Sequence, residues 1–458
     1  MVNNPSNLIF VCVFNQYQYV EMLYLLLESI YFSGKLDSNT KILIYTSTPF
    51  KHMIKQSDLN SDLLIFHTND TYTTLDSACK ARLDLFNIPC VKNFKKILYL
   101  DTDILIIKDI NPIFDLLRED KMYAVQEGNI ADGRGWWGLT LFQNEINNYE
   151  DKYAFSSGIL LFNNSNSIIE LFDNIKKDIE DRPQGTNFHD QPYFVYNAFK
   201  YDMINKRTLL PTCGINEDSV FSSKTILHFA GCPGVYMKKI PRMRNFLTVF
   251  MDRNINKIIT TSKEIINIAL LPIIREFDEP LEGNVFMWHE TTEYTDVFIN
   301  KAKYISKMVT GPNIKNVLEI GFNAGFSALL ILLSNPDLKL TCMDIAEHKY
   351  TMPCYNALKE MFGERINFIK GDTLKTLPDI TETFDLIHIY GGHSDELVIN
   401  DIEHSYRVAH NQTILLMDDY EFPNIQELWN KYINEYNLTG VSSIFFPTTN
   451  HDARIVHK

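Results

Sequence analysis

The pattern that most constrains this chain is a strand, a turn and a helix, met twice and far apart. It occurs first as "NLIFVCVFNQYQYVEMLYLLLESIYFSG" and again as "IKNVLEIGFNAGFSALLILLSN". Each opens on an apolar run of strand length and continues into a segment of helical periodicity that ends near a turn residue. In the first half, apolar runs at 8–14, 41–45, 63–66 and 97–100 alternate with helical patterns. Such alternation predicts an α/β chain with mostly parallel sheets covered by helices. The ligands of such sheets gather at the carboxyl ends of the strands.

Two sheets of this kind in series account for 458 residues. Between them the chain turns polar and acidic, as "REFDEPLEGNVFMWHETTEYTD". The expected division is a first domain over 1–255, a linker over 256–284 and a second domain over 285–458. The net charge of −14 excludes a broad nucleic-acid-binding surface, which needs clustered Lys and Arg. It leaves room for anionic small ligands held by a metal or a helix N-terminus. The seven cysteines, Cys12, Cys79, Cys90, Cys213, Cys232, Cys342 and Cys354, have no metal-ligand or framework spacing, so reduced thiols are expected. "NLIFVCVF" is too short to span a membrane and lacks signal-peptide flanks, so a cytoplasmic chain without a transmembrane segment is expected. Composition is compatible with a monomer or a homo-oligomer.

The stretch "KILYLDTDILIIKDINPIF" places Asp101 and Asp103 at a strand end. Alternate residues of an extended segment point the same way, so both carboxylates can present oxygens to one hard divalent cation. The same residues also suit a turn or a cap on the following helix. Around them stand "VFNQYQYVEMLYLLLES", "KARLDLF", "FSSGILLFNNS", "FHDQPYFVYNAF" and "ILHFAGCPG". In this order the segments resemble the family eight glycosyltransferases, relatives of glycogenin and galactinol synthase, over most of the first 240 residues.

That resemblance implies a GT-A fold and retaining, metal-dependent transfer from a nucleotide sugar, UDP-linked, to a carbohydrate or glycoprotein. It implies that Asp101, Asp103 and His228 ligate Mn²⁺ or Mg²⁺. Val13, Asn15 and Tyr19 would lie by the base and ribose, and Arg82 by the donor phosphates or sugar. Ser156 and Ser157 would face the sugar, Asp190 and Gln191 the reaction centre, and Gly231 with Lys238 the diphosphate. Relatives follow HFxG with a Lys; here Pro233 and Gly234 intervene and delay the lysines to Lys238 and Lys239. Taken singly, His228 between Leu227 and Phe229 also reads as a core histidine, and "SSG" as a tight turn.

In the second half, "VLEIGFNAGFSALLIL" needs Gly321 where a side chain would obstruct a ligand and Gly325 where helix and strand pack closely. The next strand ends in Asp344, and an acidic residue there suits ribose hydroxyls. With "FIKGDTLKTLP" and "FDLIHIYGGHSDELVINDIEHSYRVAHNQTILLMDDY", residues 285–458 resemble class I S-adenosylmethionine (SAM)-dependent methyltransferases of the sugar and small-molecule O-methyltransferase type. The resemblance implies a Rossmann-like fold, SAM held by Glu319, Gly321, Asn323, Gly325, Asp344 and Asp372, and His393 as general base.

Such relatives hold Mg²⁺ with the Asp of I-D-G and a later acidic pair. Here the pair is Asp418 and Asp419, a candidate second metal site, but Tyr390 stands where the first carboxylate belongs. A neutral phenol, with a pKa of about 10, is a poor Mg²⁺ ligand. His393 also fits a plain loop residue, and Asp418 with Asp419 a strand-end turn. The whole reads as a bifunctional glycan-modifying enzyme that transfers a sugar and methylates a sugar hydroxyl. The alternative is a glycosyltransferase whose second domain is catalytically inactive and serves recognition or assembly. A nicotinamide-dependent oxidoreductase would share some elements of the glycine turn but fits its remainder poorly.

Overall fold

The structure, a computed structural model, describes residues 5–149, 151–183, 188–231, 236–282, 284–445 and 452–457. It falls into two compact units, Met1–Phe250 and Met251–Lys458.

The first unit is built on a six-stranded sheet of β1 (Asn7–Val13), β2 (Thr40–Thr46), β3 (Leu64–Thr68), β4 (Lys96–Leu100), β6 (Tyr123–Asn129) and β7 (Tyr153–Asn163), in the order β3-β2-β1-β4-β7-β6. The first four are parallel, and β7 runs antiparallel to both β4 and β6. The period of two sorts the apolar residues into two cores. Leu8, Phe10 and Phe14 pack with Leu43, Tyr45, Ile97 and Tyr99 on one face. Ile9, Val11 and Val13 pack with Ile42, Ile44, Leu98 and Leu100 on the other. Helix Tyr17–Ser29 covers that second face with Val20, Leu23, Leu26 and Leu27, and a wider turn of helix carries it to Gly34.

A small sheet of β5 (Ile104–Ile106), β8 (Cys213–Ile215) and β9 (Ile226–His228), ordered β5-β9-β8, does the positioning. Antiparallel pairing of β5 with β9 sets Ile104 opposite His228, and Phe229 N–H donates to Asp103 O at 2.9 Å. In the main sheet, pairing of β4 with β7 ends with Asp101 N–H donating to Gly158 O at 2.9 Å. Two backbone ladders thus bring residues from three distant segments to one point.

The second unit has seven strands: β10 (Asn316–Ile320), β11 (Lys339–Asp344), β12 (Ile366–Lys370), β13 (Phe384–Ile389), β14 (Ala409–Met417), β15 (Thr439–Phe445) and β16 (Asp452–His457). Their order is β12-β11-β10-β13-β14-β16-β15, parallel except β16. The Rossmann-like expectation holds.

The stretch 256–284, expected as a linker, is largely helical. Helix Tyr236–Ile265 runs through its start, and a further helix covers Leu271–Phe277. Ile259, Ile266, Leu270, Leu271 and Ile274 are buried. Their spacing gives the stretch an apolar face that the acidic residues around Pro280 masked in the sequence. Among the described residues, no helix is long and apolar enough to cross a membrane. Cys12, Cys79, Cys90, Cys213, Cys342 and Cys354 are free thiols, and Cys232 lies outside the described residues.

Candidate functional sites

In the first unit, a cavity of about 410 Å³ opens beside the carboxyl ends of β1 and β4. Asp101, Asp103 and His228 converge there, with one ligand atom from each lying within 4.8 Å of the others. His228 Nε2 stands 3.2 Å from Asp103 Oδ1. Asp103 Oδ1 and His228 Nδ1 are nonetheless buried without a hydrogen-bond partner, which is unusual for such groups. Gly158 forms the floor. A Cβ there would lie 2.4 Å from His228 Cε1 and 2.8 Å from Asp101 Oδ2, so a side chain would fill the space the three ligands enclose. Two carboxylates, an imidazole, an orphaned oxygen and a glycine floor fit a divalent cation.

The electrostatics follow from the neighbours. Burial pushes the Asp103 carboxyl up, but His228 and Lys239 outweigh it and hold it well below the usual range. Burial raises Asp101, opposed by Arg82 and reinforced by Asp103. Burial would lower His228, and the carboxylate of Asp103 raises it instead.

Arg82, expected by the donor phosphates or sugar, lines the cavity. Its guanidinium is engaged by protein on several sides. Nε and Nη2 donate to the two oxygens of Asp190 at 2.7 and 2.6 Å, and Nη1 donates to Ser157 O at 2.6 Å. Tyr99 and Phe194 flank it, each ring centre 5.0 Å away. Gln191 is tied in by Ser157 Oγ, which donates to its Oε1 at 3.2 Å. Ser156, Ser157, Tyr19 and Gly231 line the cavity.

Val13 and Asn15 do not line it. Strand alternation turns Val13 into the opposite core, and its carbonyl accepts from Thr46 Oγ1 at 2.6 Å. Its neighbours Cys12 and Phe14 face the cavity instead. Asn15, at φ 73°, binds the segment before helix Leu75–Lys80: its amide bridges Thr73 O and Leu75 N–H at 3.0 and 3.1 Å. Lys238 is exposed. The next residue, Lys239, is turned inward by the helix and donates to Asp103 Oδ2 at 2.5 Å and Gly231 O at 3.3 Å. The insertion at Pro233 and Gly234 lies outside the described residues. Sequence reading also missed Glu127, which lines the cavity and accepts from Trp137 Nε1 at 2.9 Å. Its only signal was an acid near a strand end.

In the second unit a cavity of about 1140 Å³ lies over the carboxyl ends of β10, β11 and β13. Gly321, at φ 93°, admits no side chain, since a Cβ would lie 1.9 Å from Tyr390 O. Gly325, at φ 76°, packs against Phe322 and Leu358. Asp344 Oδ2 accepts from Phe322 N–H and Asn323 N–H, both at 2.8 Å, and Oδ1 from Ala346 N–H at 2.7 Å. Asp344 therefore shapes the glycine turn while lining the cavity. Asn323, held by Tyr350 Oη–H at 2.9 Å, lines it too. So does Asp372, whose carboxylate caps helix Thr373–Thr376.

Glu319 was expected to hold SAM and does not reach the cavity. Leu318 and Ile320 point into the core, so Glu319 points to the opposite face between Cys342 and His388. There it is fully buried, with Oε1 3.4 Å from His388 Nδ1. His388 Nε2 lies 3.1 Å from Asp418 Oδ2, which also pairs with Lys301 Nζ. Burial would lower His388, but its bonds to Asp418 and Glu319 hold it up at about 9. Neither His388 nor Lys301 was singled out from sequence.

The geometry does not bring the pair Asp418 and Asp419 to one point. Asp418 is buried and spent on His388 and Lys301, while Asp419 points elsewhere and bonds His393 Nε2 at 2.9 Å. Burial raises the Tyr390 phenol well above its usual pKa, which keeps it neutral. Among the described residues, Asp101, Asp103 and His228 form the one group of three or more His, Cys, Asp or Glu side chains whose ligand atoms converge in this way. The bond from Asp419 raises the His393 pKa.

Comparison with known proteins agrees with this division. Residues 36–205 match the model of glycosyl transferase family 8, and residues 318–420 match a model described as a methyltransferase domain. A putative caffeoyl-CoA O-methyltransferase of Arabidopsis thaliana is 33% identical over 86 residues, 19% of this chain. The match spans 37% of that relative's length. Among solved structures, an O-methyltransferase from Bacillus cereus in complex with SAH aligns at 13% identity and TM-score 0.34, covering 43% of this chain and 97% of that one. A putative caffeoyl-CoA O-methyltransferase from Staphylococcus aureus aligns at 16% identity and TM-score 0.32, covering 45% and 100%. The family matches and the strand order, rather than these structural likenesses, define the architecture: a unit resembling the family 8 glycosyl transferases, followed by a unit resembling the class I methyltransferases.

Proposed function

We propose that the chain is a bifunctional glycan-modifying enzyme. Its first unit transfers a sugar from a UDP-sugar to a glycan or glycoprotein with retention of configuration. Its second methylates a hydroxyl of that sugar or its neighbour with SAM. The observation that carries the first half is the convergence of Asp101, Asp103 and His228 over Gly158. These residues would hold Mn²⁺ or Mg²⁺, which supplies positive charge for the departing diphosphate. Lys239 adds a cation at the same place, and Arg82 fixes Asp190 at the cavity wall.

In the second unit, Gly321, Asn323, Asp344 and Asp372 form the wall against which SAM would lie. His393, held by Asp419, takes the acceptor hydroxyl proton. SAM, when bound against this wall, would supply the methyl group that the acceptor oxygen takes.

The test is release of UDP from a panel of UDP-sugars with Mn²⁺. Asp103→Ala should abolish turnover with the fold intact by circular dichroism; undiminished turnover would sink the metal assignment.

A further inference from the structure

The second unit has Tyr390 where the resemblance implies a carboxylate, and an ammonium close by. Lys301, on helix Ile299–Val309, is 5% exposed, yet its side chain reaches the cavity wall. Its Nζ pairs with Asp418 Oδ2 and stands 4.3 Å from the centre of the Tyr390 ring. We propose that the Lys301 ammonium takes the place a divalent cation would have here, so that methyl transfer in this unit runs without a metal. This rests on the methyl-transfer reading above.

Three observations carry it. Both oxygens of Asp418 are already engaged: Oδ2 by Lys301 and His388, and Oδ1 by Asp419 N–H at 3.0 Å. Of the three expected ligand positions, only Asp419 then presents a carboxylate to the cavity, and it is bonded to His393. One carboxylate beside an ammonium is a poor site for a dication, which prefers several oxygen ligands and is repelled by the cation.

The charges also close. Glu319 and Asp418 are balanced by His388 and Lys301 along one buried chain, which satisfies groups that would be costly to bury unpaired. A metal added to Asp418 would leave this chain with excess positive charge, or would have to expel Lys301 from it. In the reaction the ammonium keeps its proton. The acceptor O–H proton goes to His393, the oxygen–methyl bond forms as the sulfur–methyl bond breaks, and the fixed cation stabilises the charge that develops on oxygen.

The test uses the full chain carrying Asp103→Ala, which removes the first metal site. Mn²⁺ is titrated by electron paramagnetic resonance, and SAM by calorimetry in the same samples. No stoichiometric Mn²⁺ together with SAM binding is expected. One equivalent of bound Mn²⁺ alongside SAM binding would overturn the inference and leave the methyl-transfer reading standing. Absence of SAM binding would overturn that reading, and the inference with it.

Methyl transfer to a panel of nitrophenyl glycosides should survive a chelator in the otherwise unaltered chain. Lys301→Met should lower kcat by about tenfold or more with the KM for SAM little changed. Lys301→Arg should recover part of the loss. Activity that disappears with chelator and returns with Mn²⁺, or a folded Lys301→Met variant with undiminished kcat, would overturn the inference.

Discussion

Arg82 and Asp190 meet in two parallel hydrogen bonds, Nε to Oδ2 at 2.7 Å and Nη2 to Oδ1 at 2.6 Å, in the wall of the first cavity. Both are buried, and a guanidinium makes this paired contact where an ammonium cannot. Arg82→Lys should therefore keep the charge but lose the fork, lowering kcat for UDP release by about tenfold or more while Mn²⁺ binding is retained. Arg82→Ala leaves Asp190 unpaired and should destabilise the first unit by about 3–5 kcal/mol, read from denaturant unfolding.

Gly158→Ala tests the metal cradle without touching a ligand. The added methyl would meet His228 and Asp101 at under 3 Å, so one of them must move. Mn²⁺ affinity, measured by calorimetry, should fall by about tenfold or more, given how sharply metal sites depend on ligand placement. SAM binding should be unaltered. Equal Mn²⁺ affinity in the two proteins would remove Gly158 from the site.

Gly321→Ala should be harsher. The position combines a left-handed φ of 93° with a backbone oxygen 1.9 Å from the would-be Cβ, so the turn after β10 must open. SAM binding should be lost, and thermal unfolding of the second unit should shift down by several degrees. Sugar transfer should persist, because the substitution lies in the other unit.

The pH profile of methyl transfer reports on His393. A base must be neutral to accept a proton, so activity should rise as pH passes through the His393 pKa. Asp419 raises that pKa above the usual imidazole value of 6.5. Asp419→Asn should move the rising limb to lower pH and lower kcat. A limb that stays in place would mean that another group titrates.

Much of the fold could be read from the chain because strand and helix periods are local. The strand before Asp101 and the glycine turn at Gly321 stand where the sequence put them. The misplacements are matters of phase. Val13 and Glu319 each lie one residue away from a neighbour on the other face of its strand, and Lys238 lies one step around a helix from Lys239. A single apolar stretch does not say which of its faces meets the ligand. The pairing of His228 with Asp103 was reachable only through family resemblance, because it depends on β5 meeting β9 across a long loop. Lys301 gave no signal: one of three lysines in an amphipathic helix looks like any solvated one until Asp418 is placed beside it.

The four-charge chain also bears on how this unit is inherited. Glu319 with His388 and Asp418 with Lys301 each cancel as a pair, and exchanging Asp418 or Lys301 alone for a neutral residue strands its partner's charge in the interior. A single replacement is therefore costly at Asp418 and Lys301. An exchange at Asp418 or Lys301 should be tolerated only with a matching exchange at the other.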